Sequence, residues 1–324
     1  MMQQMLLGHG PSGVDVEDVF SGDLYTGNGS TGQTINNGID LSGEGGLVWI
    51  KSRSAYNNLL FDTERGVRKV LISNRTSAEN SNATGSASLY QFNNNGFTIG
   101  SNFHGENVNN ANYVAWTFRQ AEKFFDIVTY SGNSATRNIS HNLGSQPGMV
   151  IIKIRTNGSY GWYVWHKEQF ASSTPGSGRM FLLDSNQLSQ VYGVITNATD
   201  THVSVINNLV VNASGHDYVM YVFAADTPNL IKTGIYTGNG SSQTINVGFE
   251  PQWVLVKNAS AQAYWILTDS ARGTNKQLFP NDAAAEQQSN SYVSGFTSNG
   301  FSVSSNSAVN ANNNQYAYMA IAAP

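Results

Sequence analysis

Tyr25-Thr26-Gly27-Asn28-Gly29-Ser30, followed by Gln33-Thr34-Ile35-Asn36, returns as Tyr236-Thr237-Gly238-Asn239-Gly240-Ser241 and Gln243-Thr244-Ile245-Asn246. A looser version, Tyr130-Ser131-Gly132-Asn133-Ser134 with Ile139-Ser140, lies between them. The three tyrosines stand 105 and 106 residues apart. Each opening leads to an apolar run closed by lysine: Leu47-Val48-Trp49-Ile50-Lys51, Met149-Val150-Ile151-Ile152-Lys153 and Trp253-Val254-Leu255-Val256-Lys257. Those lysines are 102 and 104 residues apart. One period held by several anchors marks internal duplication, which sets the architecture before any local reading.

The middles and ends keep the period. Asp62-Thr63-Glu64-Arg65-Gly66 matches Asp269-Ser270-Ala271-Arg272-Gly273, while the middle copy keeps only Arg179-Met180-Phe181 nearby. Asn95-Gly96-Phe97 recurs as Asn299-Gly300-Phe301. Val108-Asn109, Val211-Asn212 and Val309-Asn310 lead to the tyrosine-headed runs at Tyr113, Tyr218 and Tyr316.

The runs are short, rich in aromatic and β-branched residues, and bounded by Gly, Asn or Ser, which is strand chemistry. Asn-Gly pairs at 28–29, 95–96, 239–240 and 299–300 supply turns that need positive φ. Residues 282–288 come nearest to a helix. The expected fold is all-β: three tandem antiparallel β-sandwiches, of Ig-like or jelly-roll connectivity, with a short N-terminal arm. The expected divisions are an arm over 1–17 and sandwiches over 18–122, 123–228 and 229–324. Trp49, Ile50, Trp116, Phe118, Ile151, Phe223, Trp253, Val254 and Tyr316 are the expected core.

Charged residues are only 12% of the chain, the net charge is -4 and cysteine is absent. Without a basic block, nucleic acid is not an expected partner. No apolar run approaches a membrane span, so membrane insertion is not expected. The opening MMQQMLLGHG lacks a basic region and a cleavage site, so secretion through a signal peptide is not expected.

Asp62 and Glu64 sit two apart and in a strand would share a face, the placement that suggests a glycosidase carboxylate pair. Glu64 aligns with Ala271, however, and Asp62 with Arg65 reads as a local ion pair around a turn, matched by Asp269 and Arg272. The six histidines show no metal-ligand spacing. No catalytic residue, metal site or cofactor is expected. Tyr160, Trp162, Tyr163 and Trp165 read either as core or as a surface aromatic platform for sugar. Met1, Met2, Met5, Leu6 and Leu7 form an apolar cluster outside the repeat, read as an anchor for a partner.

Tyr25 to Ser30, then Gly46 to Lys51, Phe61 to Gly66 and Asn95 to Phe97 together resemble the repeated β-domains of tailed bacteriophages, marine and cyanobacterial ones above all. The resemblance covers nearly the whole chain and carries no catalytic residues over. The middle copy departs from it by lacking the Asp-x-x-Arg-Gly turn. It implies a virion component made in the bacterial cytoplasm: a tail-fibre or tail-associated appendage, with a capsid decoration protein as the alternative and a polysaccharide depolymerase third. The expected partners are other virion proteins through the arm, sister subunits in a homo-oligomer, and a host surface glycan.

Overall fold

The apolar run closed by lysine forms the middle of a large sheet in each copy. A computed structural model describes residues 13–170, 179–188, 190–191, 193–289 and 291–324. One helical turn, α1 (Val16–Val19), leads into the first copy. Its strands are β1 (Phe20–Thr26), β2 (Gln33–Asn36), β3 (Gly46–Ser52), β4 (Asn58–Asp62), β5 (Leu71–Ile72), β6 (Leu89–Asn93), β7 (Gly96–Ile99) and β8 (Asn112–Arg119). They form a large sheet ordered β1-β8-β3-β4-β5 and a small one ordered β2-β7-β6, antiparallel throughout. This nesting of outer strands around a β3-β4-β5 meander is the connectivity that the sequence left open.

The order recurs twice more. In the middle copy it runs Phe125–Ser131, Asp217–Ala224, Pro147–Ile154, Trp162–His166, Arg179–Leu182, with Gln190–Val191 added at the edge. In the third it runs Ile231–Thr237, Gln315–Ala322, Pro251–Asn258, Ile266–Asp269, Lys276–Leu278, flanked by Asp226–Thr227 and Gln287–Gln288. The small sheets match as well, down to a register shift at Leu89/Gln91, Ile195/Asn197 and Val293/Gly295. Residues 282–288 are not helical: they are an extended loop whose end, Gln287–Gln288, pairs with Lys276–Gln277.

Every residue of β3 and β4 is buried, so neither strand shows the in–out alternation of a sheet with one wet face. Alternate side chains explain this. Val48, Ile50, Leu59 and Phe61 pack against Ile35, Phe97 and Ile99 of the small sheet. Leu47, Trp49, Leu60, Trp116 and Phe118 point the other way, into one core shared by all three copies. Phe118 lies 5.6 Å from Phe223 of the middle copy and 5.9 Å from Trp253 of the third, both edge-on. The nine expected core residues are all buried.

Val16 and Val19 are buried in this central core, with Val14 packed against it. The chain therefore joins the body from Val14, three residues before the expected end of the arm. Met1, Met2, Met5, Leu6 and Leu7 lie outside the described residues.

Trp116 is 1% exposed in the shared core. Trp116→Ala should cost about 3–5 kcal/mol, the range for large aromatic deletions. Urea denaturation of the purified variant measures it, and a loss below 1 kcal/mol would contradict the packing.

Candidate functional site

The repeated opening motif is a clamp built on a buried asparagine. Asn107, Asn212 and Asn310 are each 0% exposed. Their Nδ2 groups donate to Asn28 Oδ1 and Ser30 O, Asn133 Oδ1 and Ala135 O, and Asn239 Oδ1 and Ser241 O respectively. Their Oδ1 atoms accept from the backbone N–H of Asn28, Asn133 and Asn239. Glycine is required before the clamped residue. A Cβ at Gly27, Gly132 or Gly238 would stand 2.3, 2.0 or 2.2 Å from a carbonyl oxygen. Tyr25, Tyr130 and Tyr236 stack on Tyr113, Tyr218 and Tyr316 at 4.8, 5.2 and 5.0 Å. The partner of the first opening is thus Asn107 and not Asn109. A spacing of six residues to the following tyrosine, common to 107, 212 and 310, marks it.

The junctions between copies form a closed cycle. Lys153 of the middle copy donates to Thr76 O of the first, at 2.7 Å. Lys257 of the third donates to Asn186 O of the middle, at 3.3 Å. Lys51 of the first donates to Ala283 O of the third, at 3.1 Å. A second donor follows each lysine across the strand pair. Trp162 Nε1 reaches Ile72 O, Trp265 Nε1 reaches Leu182 O, and Asn58 Nδ2 reaches Phe279 O. Head-to-tail contacts that close after three steps make a ring with approximate threefold symmetry.

Two junctions add the same ion network. Asp62 holds Arg65 at 2.5 Å, Arg65 meets Glu79 at 3.2 Å, and Glu79 takes both arms of Arg155 from the middle copy at 2.9 and 3.0 Å. Asp269 holds Arg272 at 2.7 Å, Arg272 meets Glu286 at 3.2 Å, and Glu286 takes both arms of Arg53 from the first copy at 2.9 and 2.8 Å. Each buried aspartate also accepts from a ring of the neighbouring copy, Tyr221 or Trp116, at 2.7 and 2.9 Å. At the middle–third junction all of this is absent among the described residues. His166 stands where Asp62 and Asp269 stand, its Nε2 3.3 Å from Tyr318 O, and Ala259 stands where the arginines stand.

Burial sets the electrostatics. Desolvation lowers Lys51 and Lys153 to about 8, against the opposing pull of Asp282 and Asp184, and lowers Lys257 to about 7. Desolvation also lowers His166 to about 4. Burial alone would raise Glu79 and Glu286. Hydrogen bonds and charge from Arg155 with Arg65, and from Arg53 with Arg272, hold both below the usual carboxylate range.

Several sequence readings change here. Asp62 and Glu64 do not share a face, because β4 ends at Asp62 and Glu64 sits exposed in the following turn. The ion pair of Asp62 with Arg65 is local as read, but it continues through Glu79 into another copy. Trp162, Tyr163 and Trp165 are 0, 8 and 4% exposed, and Tyr160 is partly buried against the same core. Their strand lies inside a sheet covered on both faces, so they form core and junction, not a surface platform. Arg53 and Arg155 had no local signal, since the carboxylates they meet, Glu286 and Glu79, lie in a different copy.

Arg65→Leu should cost about 3–5 kcal/mol, because it leaves the carboxylate of Asp62 buried without its cation. Arg155→Leu should cost about 1 kcal/mol, since that pair is partly solvated at 18 and 12% side-chain exposure. Parallel denaturation of the two variants checks the ordering.

The lysines bind fewer protons in the folded chain than in the unfolded one, where their pKa is about 10.4. Stability should therefore climb as pH rises from about 7 towards 10 and fall as pH drops through 8 to 7. Buried Tyr130, Tyr221 and Tyr236, whose values desolvation raises, reverse the trend once unfolded tyrosine ionises near pH 10. Melting temperatures should thus rise by several degrees between pH 7 and 9.5. A flat profile would contradict the lysine burial.

Comparison with known proteins gives a family for the chain. Nothing among curated proteins or solved structures matches the chain. A family model described as a domain of unknown function, DUF7483, matches residues 15–324. That span takes in all three copies as one unit, from the turn that enters the central core to the last residue, and the chain belongs to the DUF7483 family.

Proposed function

We propose that the chain is a non-enzymatic structural protein of a bacteriophage virion, most simply a tail-fibre or tail-associated appendage that meets the host surface. The observation that carries this reading is the closed cycle of Lys51, Lys153 and Lys257, each seated on the loop of the neighbouring copy. One chain thereby forms a rigid body of approximate threefold symmetry, suited to a threefold position in a larger assembly. The carboxylates that sequence offers for hydrolysis support the same reading. Asp62 is engaged by Arg65 and by Tyr221 of a neighbouring copy, and Glu64 lies exposed in the turn beyond the strand. Decoration of the capsid is the second reading, favoured by the same symmetry. Residues 1–10 are the proposed anchor to other virion proteins or to sister subunits.

Electron microscopy of particles labelled on this protein tests the reading. Label is expected at the tail; label on the shell would favour decoration, and particles without the protein would overturn both. Deleting residues 1–10 should leave a folded protein that no longer joins particles.

A further inference from the structure

The middle–third junction, the one without the ion network, carries a cleft of about 360 Å³. Its walls come from Asn186 of the middle copy and from Gln262, Tyr264, Tyr292 and Asn314 of the third. Among the described residues, no charged side chain lines it. Tyr264 is 43% exposed, although it precedes the buried junction residue Trp265. Its ring leans on buried Phe279 at 5.4 Å, and Phe279 meets Tyr292 edge-on at 6.2 Å, so both tyrosines are held by one side chain. Gln262 Nε2 bridges the junction to Asn186 Oδ1 at 3.1 Å. Beneath them Lys257 is engaged by the carbonyls of Asn186 and Ala263.

We infer that this cleft binds a neutral saccharide of one or two pyranose rings. Carboxamides offer a donor and an acceptor side by side, as vicinal sugar hydroxyls require. A held tyrosine face accepts the C–H face of a pyranose. Two such rings with a few convergent amides make the usual wall of a small-molecule site. An anionic sugar would need a free cation and a cationic one a carboxylate, and the walls offer neither. The position supports the assignment too. A repeat protein breaks its own rule where another demand acts, and here the arginine, the aspartate and the glutamate of the other junctions are missing together. The inference deepens the appendage reading and rests on it only for the source of the saccharide.

The test is saturation-transfer NMR with calorimetric titration of the full chain. The probes are glucose, galactose, N-acetylglucosamine and a β-linked disaccharide of each, with glucuronic acid and glucosamine as charged controls. At least one neutral probe should bind saturably. Tyr264→Ala and Gln262→Ala should each weaken it at least tenfold without lowering the melting temperature, whereas Tyr56→Ala, at an exposed tyrosine outside the cleft, should not. Should Tyr264→Ala destabilise the fold, Asn314→Ala supplies the same reading. Failure of every neutral probe, tighter binding of a charged one, or affinity unchanged in the cleft variants would overturn the inference. Since binding is measured on purified protein, that failure stays separate from where the protein sits on a particle.

Discussion

A sheet that is apolar on both faces cannot end in water, and this constraint organises the molecule. The small sheet covers one face of each large sheet and leaves Leu47, Trp49 and Trp116, or their counterparts, to be covered by something else. A linear array of copies would leave a bare face at each end. Three copies arranged in a cycle leave none, because each supplies cover to the next. Covering the face in this way also buries whatever polar groups stand at its rim.

Those rim groups explain how a chain with 12% charged residues uses its charge. A lysine ends each apolar run on the face that turns toward a neighbour. Its ammonium is taken out of water and given carbonyl oxygens, two at each junction. Desolvation of this kind disfavours the charged form, which is why the three lysines move in the same direction. The arginines bring carboxylates with them. Replacing a buried ion pair by well-packed apolar residues is often neutral or stabilising, whereas removing one partner alone is costly.

The fold was legible where the residue types are local. Strand chemistry, the period of the tyrosines and lysines, and buried positions such as Trp49 and Phe223 follow from pattern alone. Two patterns carry two meanings each, and the structure selects one. Tyr160 to Trp165 is aromatic enough for a surface platform or for a core, and Trp162–His166 is a strand buried along its whole length. Asp62 and Glu64 are two apart, yet the strand stops between them. The ion network was illegible for a different reason: its signal is offset by one copy. Asp, Arg and Glu occur in the first and third copies, and the receiving arginine occurs in the middle and first. Only a cyclic arrangement brings those sets into register.

The same offset explains which junction could change. The first–middle and middle–third junctions join copies already tethered by short linkers, so their effective concentration is high whatever their contacts. The third–first junction has no tether between its partners and relies on its contacts alone, and there Asp269, Arg272, Glu286 and Arg53 are all present. The middle–third junction has His166 and Ala259 instead, and still keeps Lys257 and Trp265 as donors. Its loss of charge weakens a contact that the chain itself holds in place. In exchange, the cleft at that seam is lined, among the described residues, by amides and tyrosines and by no charged side chain. Covalent connectivity thus permits the change at a seam that the backbone already closes, although the first–middle seam, closed in the same way, keeps its ion network.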